Sequence, residues 1–306
     1  MTQPSQTEEI RSGFVALVGR PNAGKSTLTN ALVGTKVAIT SDTPQTTRHR
    51  LRAVIDRDDA QVVLVDTPGL HKPHDALGEE LNKSALKALE DVDVVAMLVD
   101  ATQPIGGGDR WVAEHLAKAR GAKRVLVITK ADIASEKQVD RQLAIARGLA
   151  PFDDEVVLSA VEGFNVDGFY ETVVRFLPQG PRWFPRDMPS DQPVEVMVAE
   201  FIREKILRTT FDEVPHAVGV AVEDLVLDPK KDLTRIWAVI YVERDSQKGI
   251  IIGRGGEAIK RIGTEARGDL ERLLGTKVFL DLTVKVKKDW RRDASQIRRF
   301  GYGEGR

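Results

Sequence analysis

Gly19, Arg20, Pro21, Asn22, Ala23, Gly24, Lys25 and Ser26 fit the spacing G-x-x-x-x-G-K-S/T, which suits one chemistry, the cradling of a polyphosphate. A loop of this length can curl so that successive backbone N–H groups point at phosphate oxygens. Gly19 and Gly24 permit backbone angles and a close approach that a Cβ would block. The helical stretch that follows, with Thr27 in its first turn, directs its positive N-terminal end at the same anion. Lys25 can reach the β- and γ-phosphates, and the Ser26 hydroxyl can hold Mg²⁺.

Two further clusters extend this chemistry. Asp66 closes the apolar run Val62 to Val65 and is followed at once by Thr67, Pro68 and Gly69, about forty residues after the phosphate loop. A carboxylate there can hold Mg²⁺ through water, and the Gly69 N–H can meet a γ-phosphate. Thr129, Lys130, Ala131 and Asp132 follow another apolar run. The Asp132 carboxylate can accept two hydrogen bonds, from N1–H and the 2-amino group of guanine, a pattern adenine lacks. The Lys130 stem can lie across the base, and Ser159 with Ala160 can offer a backbone N–H to the guanine O6. GTP and GDP are thus the expected ligands.

These clusters need a scaffold that brings them to one edge. Strand-like runs at Phe14 to Val18, Leu51 to Asp56, Val62 to Asp66, Val92 to Asp100, Arg124 to Thr129 and Val156 to Ala160 alternate with helical spacing from Thr27 to Val33, Asp109 to Arg120, Glu136 to Leu149 and Val166 to Leu177. Alternation of this kind implies an α/β domain, a doubly wound parallel sheet whose carboxyl edge carries the ligand.

The phosphate loop, a threonine pair at Thr46 and Thr47, D-T-P-G, T-K-x-D and S-A in this order resemble the translation-factor-related GTPases. Residues 39–50 and 66–71 resemble the Era family of bacterial ribosome-assembly GTPases. The resemblance implies that Thr47, or its neighbour Thr46, orders on Mg²⁺ and the γ-phosphate. The family usually has Asn where this chain has Thr129. Leu70 stands where some GTPases place a water-orienting glutamine, so slow intrinsic hydrolysis is expected, with Lys25, Thr47 and Gly69 as the catalytic groups. Asn22 either caps the loop or, as in related GTPases without an arginine finger, admits a K⁺ ion. His49, His71 and His74 read as solvated loop residues too scattered for a metal cluster.

Residues 178–193 hold five of the 14 prolines and read as a semi-rigid connector. Beyond it, Val194 to Arg208 has helical spacing, Val218 to Val226 and Leu233 to Glu243 read as strands, and Lys277 to Val286 as a third. Gly253, Arg254, Gly255 and Gly256 form a G-x-x-G loop between an Ile-rich turn and a helix. With Lys248, Ile252 and Lys260 beside it, the loop suits a clamp on about four nucleotides of single-stranded RNA, the KH mode. The order helix-strand-strand-helix-helix-strand is that of the type II KH domain, a small α+β fold, and again resembles the Era family. Trp290 reads either as a base-stacking or as a packing residue. The expected organisation is a tail over 1–11, a P-loop GTPase domain over 12–178, a linker over 179–193 and a KH domain with a basic tail over 194–306.

Composition agrees with a globular chain of 306 residues, 42% hydrophobic and 30% charged. The absence of cysteine excludes disulfides, thiolate metal sites and a cysteine nucleophile. No apolar run approaches the roughly 20 residues that span a bilayer, and a cytoplasmic protein is expected. Residues 1–192 carry a net charge of −4, residues 193–306 of +3, and residues 248–306 alone of +7. That asymmetry points to a polyanionic partner. The family resemblance narrows it to single-stranded RNA near the 3′ end of the small-subunit ribosomal RNA, with a role in assembling that subunit as a monomer and with peripheral contact at the inner face of the cell membrane. A structural RNA-binding factor that never turns nucleotide over, and a P-loop ATPase or kinase, are the competing classes. GTP turnover and base selectivity distinguish them.

Overall fold

The computed structural model describes residues 10–70, 73 and 75–302. Its residues cluster into two units, one of 10–38, 47–70 with 73, and 81–191, the other of 39–46, 75–80 and 192–302.

In the first unit, strands β1 (Ile10–Gly19), β2 (Leu51–Asp56), β3 (Ala60–Asp66), β4 (Val94–Asp100), β5 (Lys123–Thr129) and β6 (Asp154–Val157) form a sheet in the order β2-β3-β1-β4-β5-β6. Residues of β3 and β4 are buried throughout, as expected of parallel strands covered on both faces. Helices α1 (Lys25–Val33), α2 (Ala76–Lys87), α3 (Gly107–His115), α4 (Glu136–Ala146) and α5 (Val166–Phe176) complete the alternation, although only residues 81–87 of α2 cluster with this unit and 76–80 with the other. The sheet is not wholly parallel. Residues 57–59 are too short for a crossover, so β2 returns antiparallel to β3. Helix α2 is absent from the sequence-based expectation, although Leu77, Leu81, Ala85, Ala88 and Leu89 form a buried stripe at helical spacing. Helix α3 stops at His115 and tightens into a 3-10 turn over Leu116–Lys118, and β6 ends before Ser159, whose N–H donates to the Phe164 carbonyl inside a loop.

The proline-rich segment lies along the sheet of the first unit. Strand β7 (Gln179–Gly180) pairs antiparallel with the start of β1, and the Val54 N–H on edge strand β2 donates to the Pro189 carbonyl. The Gln61 side chain accepts from the Trp183 and Phe184 N–H groups and donates to the Phe184 carbonyl at 2.9 Å. An exposed edge strand leaves a row of unpaired backbone groups, and this segment satisfies part of that row.

The second unit runs α6 (Val194–Thr209), α7 (Val214–Ala217), β8 (Gly219–Asp228), β9 (Leu233–Val242), α8 (Asp245–Ile252), α9 (Glu257–Leu274), β10 (Lys277–Val286) and α10 (Ala294–Arg299). Its sheet has the order β10-β9-β8, with β8 antiparallel and β10 parallel to β9. Ile236, Ala238, Ile240 and Val242 alternate into a core that α6 and α9 cover. Helix α6 is buried nearly all round, so its charged residues need partners. Lys205 pairs with Glu204 and Asp269, and Glu204 accepts from the Thr40 N–H at 3.0 Å. Trp290 is a packing residue. It is fully buried, donates from Nε1 to the Ala217 carbonyl at 2.8 Å and stands edge-on to Phe300.

Candidate functional site

Strand register builds the first site. Leu17 lies opposite Asp66 and Asp100 opposite Thr129, so the carboxyl ends of β1, β3, β4 and β5 present residues 19–26, 66–70, 100 and 129–132 at one edge. The chain crosses from one side of β1 to the other here, the place where open α/β sheets hold ligands. The phosphate loop curls through left-handed backbone at Asn22, φ 63°, and Gly24, φ 91°, and α1 begins at Lys25.

Beneath the loop, Ser26 Oγ donates to Asp66 Oδ2 at 2.7 Å and lies 2.8 Å from Thr47 Oγ1. Asp66 is wholly buried and its Oδ1 has no hydrogen-bond partner. Two hydroxyls and an orphaned carboxylate oxygen are a hard-oxygen set that fits Mg²⁺. Among the described residues no group of three or more His, Cys, Asp or Glu side chains could hold a metal. Burial pushes the Asp66 carboxyl up to about 6, against the pull of the Lys25 charge, and pushes the Lys25 ammonium down to about 8. Lys25 Nζ donates to the Gly19 and Arg20 carbonyls at 3.2 and 2.9 Å, spanning the mouth of the loop.

The geometry separates the threonine pair. The Thr46 hydroxyl is held by Ser41 and Thr43, and its carbonyl accepts from buried Arg203. Thr47 alone reaches Ser26. A Cβ on Gly69 would lie 2.6 Å from the Pro21 nitrogen, and the Leu70 N–H donates to the Gly19 carbonyl at 3.2 Å, so the D-T-P-G turn lies directly against the phosphate loop. The Leu70 side chain is core, 1% exposed among Ala16, Val18 and Leu89, and Thr67 Oγ1 donates to the Leu17 carbonyl at 2.8 Å. Both support the loop from behind.

At the base-recognition end, Asp132 is exposed and Lys130 takes a left-handed turn, φ 60°, with Nζ 2.6 Å from Asp100. The Ser159 N–H is already used within its loop, where it donates to the Phe164 carbonyl at 3.0 Å. Sequence reasoning misses Asp100 and Asp109. Asp100 orients Lys130, and Asp109 holds Arg20 of the phosphate loop at 3.2 Å. The position of Asp100 at the end of an apolar strand is the available signal. His49 is half-buried, while His71 and His74 lie outside the described residues.

The second unit presents the glycine loop by itself. Helix α8 ends at Ile252, and Gly253, Gly255 and Gly256 take φ 74°, 58° and 83° before α9 begins at Glu257. A Cβ on Gly253 would fall 2.8 Å from the Ala258 nitrogen, whereas Cβ atoms on Gly255 and Gly256 would meet open space. Arg254 and Lys260 are exposed, and Lys248 and Ile252 are half-buried. The loop thus has an open, basic approach to backbone and the positive end of an 18-residue helix.

A family model described as a 50S ribosome-binding GTPase matches residues 14–130, and a KH-domain model matches residues 213–291. GTPase Era of Mycobacterium avium (strain 104) is 48% identical over 297 residues, covering 96% of this chain and 99% of that protein. The chain belongs to the Era GTPase family. Era of Mycobacterium sp. (strain JLS) is 46% identical over the same length. A crystal structure of a point variant of Aquifex aeolicus Era bound to GDP·AlF4⁻ superposes with a TM-score of 0.92 at 37% identity, covering 96% of this chain and all of that one. An Era complex with MgGDPNP and nucleotides 1506–1542 of 16S ribosomal RNA matches with the same score, identity and coverage.

Proposed function

We propose that the chain binds and hydrolyses GTP at the edge formed by residues 19–27, 66–70, 129–132 and 159–160, and grips single-stranded RNA at 253–256 with Lys248, Ile252 and Lys260. The RNA is the 3′ region of the small-subunit ribosomal RNA, and the role is assembly of that subunit. The observation that carries the nucleotide reading is the cluster of Ser26, Thr47 and Asp66 under a curled loop with an uncapped carboxylate oxygen. Those three residues would hold Mg²⁺, which when bound neutralises charge between the β- and γ-phosphates. Lys25 binds the same phosphates, the Gly69 N–H meets the γ-phosphate, and Asp132 selects guanine. Leu70 points into the core, so no side chain at that position orients the attacking water, and intrinsic turnover is slow. Asn22 sits in the curl of the loop, where K⁺ can supply charge; equal turnover in K⁺ and Na⁺ excludes that ion.

The RNA reading rests on the open glycine loop and on the relative whose complex holds 16S RNA. No helix among the described residues is long and apolar enough to cross a membrane. We place the protein in the cytoplasm as a monomer, its basic face free for peripheral membrane contact. The test is a pair of titrations. GDP should bind at least a hundredfold tighter than ADP, and an oligonucleotide of the 16S 3′ end should bind the wild type but not Gly255→Asp. Equal affinity for ADP would overturn the first half, and RNA binding by the variant the second.

A further inference from the structure

We infer that Thr129 is a positioning residue for the phosphate loop and takes no part in reading the base. This inference rests on the nucleotide site proposed above and refines one residue of it. Thr129 ends β5 and is 3% exposed. Its Oγ1 donates to the Ala23 carbonyl at 2.9 Å and to the Val99 carbonyl at 3.2 Å. A Cβ placed on Gly24 would stand 3.7 Å from both Thr129 Cβ and Oγ1, so the side chain lies directly against the turn that leads into Lys25.

A hydroxyl carries one proton. Here that proton points at two backbone acceptors, one in the phosphate loop and one at the end of β4. With that proton committed, the hydroxyl has no second hydrogen to give to an acceptor on a base. An asparagine amide carries two hydrogens and can brace the loop and meet the base at once. Thr129 can do only the first. Base selection then falls to Asp132 and the Ala160 N–H. The turn that carries Lys130 and Asp132 is set by the left-handed Lys130 and its ion pair with Asp100, and neither contact uses the threonine hydroxyl.

The consequence is a loss that ignores the base. Thr129→Val keeps the shape, removes the proton and leaves the buried Ala23 carbonyl unpaired. It should weaken nucleotide binding about tenfold. The experiment is a cycle of wild type and Thr129→Val against GDP and 7-deaza-GDP, in which C–H replaces N7, read by fluorescence titration with Mg²⁺. Thermal melts check folding. Thr129→Ser keeps the hydroxyl and should bind both nucleotides within about threefold of wild type. Thr129→Cys, a weak donor, should repeat the valine loss if valine destabilises the fold. The expected result is an equal loss for GDP and 7-deaza-GDP. A loss with GDP that vanishes with 7-deaza-GDP would overturn the inference, as would wild-type binding by both the valine and cysteine variants. Asp132→Asn is run alongside. Its failure to move preference toward XDP would overturn the base-recognition reading, while the Thr129 cycle would still be decided on its own numbers.

Discussion

Asp66 and Lys25 are buried opposite charges whose ordinary protonation suits water better than the place they occupy. Burial raises the first to about 6 and lowers the second to about 8. Mg²⁺-nucleotide needs both in their charged forms. Binding must therefore expel a proton from Asp66 below pH 6 and take one up at Lys25 above pH 8. Affinity for Mg²⁺·GDP should be highest between those values and fall toward about tenfold per pH unit on either side, which isothermal titration across pH 4.5–9.5 would show. A flat profile would mean that neither group meets the ligand. Lys25→Ala should cost ten- to a hundredfold in GDP affinity, the worth of one or two hydrogen bonds to a charged group. Asp132→Asn should exchange guanine for xanthine nucleotides, because an amide offers a donor where the carboxylate offered only acceptors; competition between GDP and XDP measures it. At this scale the sequence is informative wherever chemistry demands a residue type at a fixed spacing. It leaves Thr46 and Thr47 undecided, because the choice depends on Ser41 and Thr43 holding the Thr46 hydroxyl while the Thr47 hydroxyl meets Ser26.

Elements decide where those residues stand. The apolar runs that form β1, β3, β4 and β5 are legible because strands buried on both faces tolerate few polar residues. Helix α2 is not, since a turn sequence precedes it and its apolar stripe is interrupted by Glu79, Glu80, Asn82 and Lys83. The docking of residues 179–191 on edge strand β2 is hidden too. It depends on backbone groups and on Gln61, which show no pattern in sequence. Two glycines of one loop should behave differently. Gly253→Ala forces a Cβ into the Ala258 backbone at positive φ and should lower the stability of the second unit by about 1–3 kcal/mol, seen in chemical denaturation. Gly255→Asp meets open space, so its cost is only that of the positive φ, and it should destabilise less than Gly253→Ala while repelling a phosphate chain. Equal destabilisation by both would contradict the glycine-loop geometry.

The whole molecule joins a phosphate site to a nucleic-acid clamp in one chain, and the order of domains and the basic bias of residues 248–306 already point that way. What sequence does not supply is how the segment that carries Thr46 and Thr47 is divided. Residues 39–46 cluster with the second unit, and Thr47, one peptide bond further on, with the first. Thr40 and Thr46 are held by Glu204 and Arg203 of α6, while the Thr47 hydroxyl lies beside Ser26. The most direct test is GTP turnover with and without a single-stranded oligonucleotide of the 16S 3′ end, in wild type and in Gly255→Asp. RNA should change the wild-type rate severalfold and leave the variant at its basal rate, as expected of one switch with two ligands. RNA that binds the wild type without altering its turnover would contradict a single coupled protein and leave a GTPase and an RNA clamp that share only a chain.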